Sequence, residues 1–246
     1  MRKAFLLLVL IASLNSFAQE LPTDSIILRK IFGKTDRRGQ SYSRPFDEEK
    51  GEGMYTYGDS IVWKIVYKAR INLQNKNLIF SIVEAEGNNQ MGHQFGYRNM
   101  YFFKQKHNRI QLVDSIVSDE ETLLGDNSTH EIADIGKNKK ALIIQFSSTG
   151  NHHFESSETI SLLEVGKVTH LLSTNNYSNA AWKMPESEND DCDAETYHES
   201  YEIIRNETCE WYDVKVHRID YRFTKGCKDS NEDSITDKVY VYEDGK

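Results

Sequence analysis

The stretch KKALIIQFSSTGNHHFESSETISLLEVGKVTHLLS, Lys139 to Ser173, decides the fold. It opens with an apolar run, Ala141 to Phe146, of strand length and too short for a typical helix. A polar loop is expected over Ser147 to Ser157, and then a second apolar run, Ile160 to Val165. Gly166-Lys167 makes a tight turn, and Val168 to Leu172 returns as a third strand. Three such strands form a meander, whose apolar side chains need a second layer to cover them.

The same pattern extends in both directions. IVWKIVYKARINL and NLIFSIVEA flank a short hairpin loop at Gln74-Asn75-Lys76, with strands beginning at Ser60. Arg98 to Lys106 and Arg109 to Ser118 form a second hairpin about His107-Asn108. An acidic loop is expected over Asp119 to Ser128, and a linker over Asn175 to Ala194. Beyond it, strands lie either side of Asn206-Glu207-Thr208, and a last strand covers Lys238 to Tyr242. In DVKVHRIDYRF the apolar side chains change parity, so a bulge is expected near His217-Arg218. Upstream, TDSIILRKIFG (23–33) reads as one short helix, with Thr23 as N-cap, Asp24 in the first turn and Gly33 closing the end. Residues 34–58 read as a polar connecting segment. The fold class is therefore mainly β: an antiparallel β-sandwich or barrel-like meander with a short N-terminal helix.

Compartment comes from the first residues. MRKAFLLLVLIASLNSFAQE has a basic n-region (Arg2, Lys3), an apolar h-region (Ala4 to Leu14) and small residues at Ser16 and Ala18. Residues 1–18 are expected to be a signal peptide, which makes the protein exported, either periplasmic or secreted. Residues 19–59 then hold the helix and the connecting segment. Residues 60–246 form the β domain, with an acidic, Cys-containing part over 184–246. No further stretch is apolar enough to span a membrane, and the mature protein is expected to be soluble.

The net charge is −8, and it is unevenly placed. Residues 19–183 hold 20 acidic and 20 basic side chains, whereas residues 184–246 hold 18 acidic against 8 basic. A basic nucleic-acid footprint is absent, and an anionic membrane surface would repel the C-terminal part.

Three constellations carry candidate chemistry. Cys192, Cys209 and Cys227 all lie in the acidic part, and three pairings are open. A hairpin turning at 206–208 brings its far ends together, which favours Cys192 with Cys227. Asp229 to Asp237, DSNEDSITD, resembles the front half of an EF-hand-like calcium loop. The resemblance implies Asp229, Asn231, Asp233 and Asp237 as oxygen donors and calcium as the cofactor. The sequence departs from that pattern in two places: Ser234 stands in place of the turn-forming Gly, and Tyr240 in place of the closing Glu. Gly125-Asp126 followed by Gly150-Asn151-His152 resembles two blocks of the metallophosphoesterase signature. That resemblance implies a metal-dependent hydrolase using His152 and His153. No upstream Asp-x-His is present, and His153 replaces the usual acid. Asp-Ser-Ile occurs four times and resembles the acceptor sequence for O-glycosylation of exported bacterial proteins. The resemblance implies Ser25, Ser60, Ser115 and Ser234 as acceptors, although Asp-Ser is also ordinary turn and cap chemistry.

No nucleophile elbow, zincin motif or phosphate-binding loop is present. The expectation is an exported, non-enzymatic envelope or secreted binding or accessory module, its partner a protein or a cell-envelope component. The alternatives are the hydrolase with His152 and His153, and a calcium-stabilised structural protein.

Overall fold

The computed structural model describes residues 20–45, 60–90, 93–107, 109–118, 122–124, 127–150, 153–178, 196–206, 209–223 and 230–241. Residues 1–18, expected to be a signal peptide, therefore lie outside the described residues. The N-terminal helix α1 spans Asp24–Phe32. Its first turn is closed by the Thr23 carbonyl, which accepts from the amides of Ile26 and Ile27; the Thr23 side chain makes no capping bond. Gly33 ends it in the left-handed conformation (φ 78°), donating its N–H to the Arg29 carbonyl. Ile27 and Leu28 are fully buried against the first sheet.

That sheet is built from β1 (Ser41–Pro45), β2 (Ser60–Leu73), β3 (Lys76–Gln90), β4 (His93–Lys106) and β5 (Arg109–Ile116), in that order, with β6 (Thr122–Leu123) paired to β4. β1 falls inside the segment expected to be a connection. It carries five residues of mixed polarity and is held by pairing with β2, not by an apolar pattern. The positive φ angles of Gln74 and Asn75 close the β2–β3 hairpin in two residues. One face of the sheet buries Trp63, Ile79, Val83, Tyr101 and Phe103 beneath α1. The opposite face presents Phe80, Ile82, Met100 and Phe102 to the second sheet.

The second sheet runs β7 (Asn127–Gly136), β8 (Lys139–Gly150), β9 (His153–Glu164), β10 (Lys167–Ser178), β11 (Thr196–Ile204), β12 (Asp213–Phe223) and β13 (Ser230–Tyr240), again in chain order and antiparallel throughout. The two sheets meet face to face. Leu142 and Leu163 insert among Phe80, Phe102 and Met100, and fully burying each such side chain contributes about 1.5–3 kcal/mol. At the rim, Asp114 of β5 lies against the β9–β10 turn, where any Cβ on Gly166 (φ 75°) would strike its carboxylate.

Several elements differ from the sequence reading. The expected polar loop over Ser147 to Ser157 is mostly strand, since Ser147–Gly150 pairs with His153–Ser156. Its polarity arises because this hairpin continues past the apolar core. The acidic loop expected over Asp119 to Ser128 overlaps β7 at Asn127 and Ser128; the rest of β7, THEIADIG, carried no expectation, alternates weakly and gains its pairing from β8. The residues expected as a calcium loop are strand from Ser230 onward, each paired with β12 except Asp233. The bulge expected at His217-Arg218 is instead in β13 at Asp233, because β12 keeps one register along all its pairs with β11. Val216 and Ile219 therefore point to opposite faces of a strand covered in part on both.

The second sheet also curls back on itself. Gly136, at the end of β7, bridges Trp211, just ahead of β12. Lys137 donates its N–H to the Glu210 carbonyl at 2.8 Å, and Tyr212 donates to that of Ile135 at 2.9 Å. A Cβ at Gly136 would collide with the Glu210 carbonyl oxygen, so the close approach needs glycine. This seam encloses a third apolar cluster of Ile135, Ala141, Ile143, Ile160 and Leu162, covered by Tyr201, Ile203, Trp211 and Val214.

Candidate functional site

The seam leaves a cleft of about 260 Å³. Its walls are apolar: Ile135 from β7, Ile160 from β9, Leu171 and Leu172 from β10, Trp211 and Val214 from the closing segment. The register explains why two adjacent leucines both reach it. Between His170 and Leu172 the β9–β10 ladder skips a residue, leaving Leu171 as a bulge turned to the same side as its neighbour. Thr169, His170, Tyr212 and Tyr240 add polar atoms near the mouth. Lys139 fixes the indole from outside: its ammonium sits 4.7 Å from the Trp211 ring centre and 3.4 Å from Glu210. On the same curled sheet, the Tyr201 hydroxyl donates to Glu158 at 2.8 Å. Burial and that carboxylate push the Tyr201 pKa up, which keeps it a donor. The cleft is of a size and chemistry to take a small apolar group, with polar atoms near its mouth for an amphipathic end.

A second, drier feature lies between the sheets. Glu84 (β3) and Arg98 (β4) are directly opposed across the ladder, and His130 (β7) reaches them from the other sheet. Arg98 Nε lies 2.5 Å from Glu84 Oε1, and His130 Nε2 lies 3.3 Å from the same oxygen. Nε2 of His130 makes no hydrogen bond, so its contact with Glu84 is an electrostatic one. Burial alone would raise the Glu84 pKa, but His130 and Arg98 together outweigh it and hold the carboxyl below its usual range. The group is a buried ion cluster between the two sheets.

Comparison with known proteins places no relative beside these features. The chain matches no family model, no curated protein and no solved structure.

The residues singled out in the sequence are placed as follows. Asp233 and Asp237 lie on exposed β13, each already facing a cation. Asp233 is 3.1 Å from Arg222 Nε; Asp237 is 2.6 Å from both Lys215 Nζ and His217 Nδ1. Asn231 is on the same strand, and Asp229 lies outside the described residues. His153 begins β9, while His152, Cys192 and Cys227 lie outside the described residues. Cys209 is exposed in the β11–β12 connection. Among the described residues, no group of three or more His, Cys, Asp or Glu side chains is gathered to hold a metal ion. Of the Asp-Ser-Ile serines, Ser60 and Ser234 are exposed on strands, whereas Ser25 and Ser115 are half-buried. No helix among the described residues is long and apolar enough to cross a membrane.

The seam cleft was not visible in the sequence. Its residues come from five separated places, and Trp211 follows a turn where no periodicity marks it. The single local signal was Leu171-Leu172, two adjacent apolar residues where strict alternation would give one.

Proposed function

We propose that the protein is an exported, non-enzymatic binding module of the cell envelope or its surroundings, and that the seam cleft seats an apolar or amphipathic group of its partner. The observation that carries this reading is the cleft: a concave, apolar space lined by Leu171, Leu172 and Trp211. The basic, apolar and small-residue zones of residues 1–18 support export. Export in turn supports a Cys192–Cys227 disulfide. β11 and β12 pair from Ile204–Asp213 to Thr196–Tyr221, so the chain enters β11 and leaves β12 at the same end. Cys209 lies at the opposite end, in the β11–β12 connection.

Anilinonaphthalene sulfonate, whose emission rises in apolar surroundings, tests the cleft. The wild-type protein is expected to enhance its emission. Leu172→Trp, which fills the space, is expected to abolish the enhancement while keeping a cooperative melt. Equal enhancement by the filled variant would remove the cleft as the binding seat.

A further inference from the structure

At the tight-turn end of the first sheet, two hairpin tips stand apart. The β2–β3 ladder continues to Leu73–Lys76, and the β4–β5 ladder to Lys106–Arg109. The β3–β4 ladder between them stops earlier, at Ile79–Phe103. Residues 76–78 and 104–106 thus flank a groove with no backbone pairing across it. Arg70 braces one wall, donating to Gln105 Oε1 at 2.6 Å and to the Glu20 carbonyl at 2.9 Å.

The lining of this groove is chemically one-sided. Lys76, Lys104, Lys106 and Arg109 supply four fixed positive charges, His107 lies beside them, and no described lining residue is acidic. This occurs on a chain whose net charge is −8. None of those four cations has an ion-pair partner among the described residues. Between the cations stand the amides of Asn75, Asn77 and Gln111, each able to donate and accept, while Gln105 is engaged by Arg70 and the His107 carbonyl. Three of the four charges are ammonium groups, compact point charges with three rotatable donors each, able to meet sulfate or phosphate oxygens from several directions. Cations for the anionic groups and amides for hydroxyls, on both walls of an open channel, match one class of ligand.

We propose that this groove binds an anionic glycan, a saccharide chain bearing sulfate or phosphate groups. A concave channel between two walls suits a chain-shaped ligand better than a flat lipid surface, which would meet the hairpin tips and not the groove. The site is separate from the seam cleft and stands without it.

The test uses a heparin-derived octasaccharide as the probe, titrated into protein recovered from cells expressing the full chain. Binding is expected at low salt and is expected to weaken as salt rises. Neutral dextran oligosaccharide is expected not to bind. Lys76→Glu with Lys106→Glu is expected to weaken binding by about tenfold or more with an unchanged melt. Lys238→Glu, on the far sheet, and Leu172→Trp are expected to leave it intact. Should the reversed pair fail to fold, Lys76→Gln with Lys106→Gln carries the same test, with a loss of about threefold. No octasaccharide binding at low salt, or binding indifferent to both lysine pairs, would overturn the proposal. So would equal binding of dextran. Binding confined to vesicles of anionic phospholipid would make the groove a membrane contact instead.

Discussion

Glu84 and Arg98 face each other across the β3–β4 ladder with their charged atoms 2.5 Å apart, and their side chains are 10% and 12% exposed. Removing one partner of such a pair leaves the other charge buried and uncompensated. Glu84→Gln is expected to destabilise the protein by about 3 kcal/mol in urea unfolding, with the Arg98 guanidinium left without its carboxylate. Replacing both, Glu84→Gln with Arg98→Met, is expected to recover part of that loss. A double variant as unstable as the sum of its single changes would show that the two side chains act independently.

The same carboxyl sets an acid limb. Its folded pKa lies below its ordinary value of 4.5, so the unfolded chain binds the proton more tightly. Its contribution to stability is complete above that ordinary value and is lost as pH falls through the lower, folded one. Unfolding midpoints compared at about pH 6 and about pH 3 are expected to fall less steeply in Glu84→Gln than in the wild type. Parallel slopes would assign acid sensitivity to other carboxylates.

Closure of the second sheet depends on Gly136. A methyl group there meets the Glu210 carbonyl oxygen and lies 3.0 Å from Trp211 Cα. Gly136→Ala is expected to cost about 1–3 kcal/mol and to shift Trp211 emission to the red as the seam opens. An unaltered emission maximum alongside a lowered melting temperature would mean that the strain is absorbed elsewhere.

Non-reducing peptide mapping is expected to recover Cys192 linked to Cys227, with Cys209 alkylated. Reduction is expected to remove about 3–4 kcal/mol of stability on the chain-entropy estimate. A Cys209 cross-link in the map would exclude this pairing.

Calcium at Asp229–Asp237 would have to draw Asp233 from Arg222 and Asp237 from Lys215 and His217. A melt in EDTA is therefore expected to match one in millimolar calcium. A midpoint raised by calcium and restored by Asp233→Ala would show that the ion displaces those partners.

The parts of the fold legible in the sequence are those where burial is one-sided and local. Ile27 and Leu28 marked the helix, and the runs at 141–146, 160–165 and 168–172 marked β8 to β10. Strands held by their neighbours were not legible: β1 has no buried side chain, and β7 alternates too weakly to declare itself. The hairpin tips of β8 and β9 read as loop because the core ends before the strands do. At the sites the difficulty was distance. Lys76 and Lys106 form one groove, and Ile135 and Trp211 one seam, through sheet geometry alone.

Because the strands of each sheet follow chain order, β6 beside β4 excepted, the first and last strands sit on outer edges of different sheets, β1 beside β2 and β13 beside β12. Tension applied through the two ends of the chain would act on one edge ladder at a time, breaking hydrogen bonds in succession and never shearing many at once. The molecule should be mechanically soft, unzipping hairpin by hairpin at low force. Pinning the β7 end to the β11–β12 connection, as the seam does, places a catch partway along that sequence of ruptures.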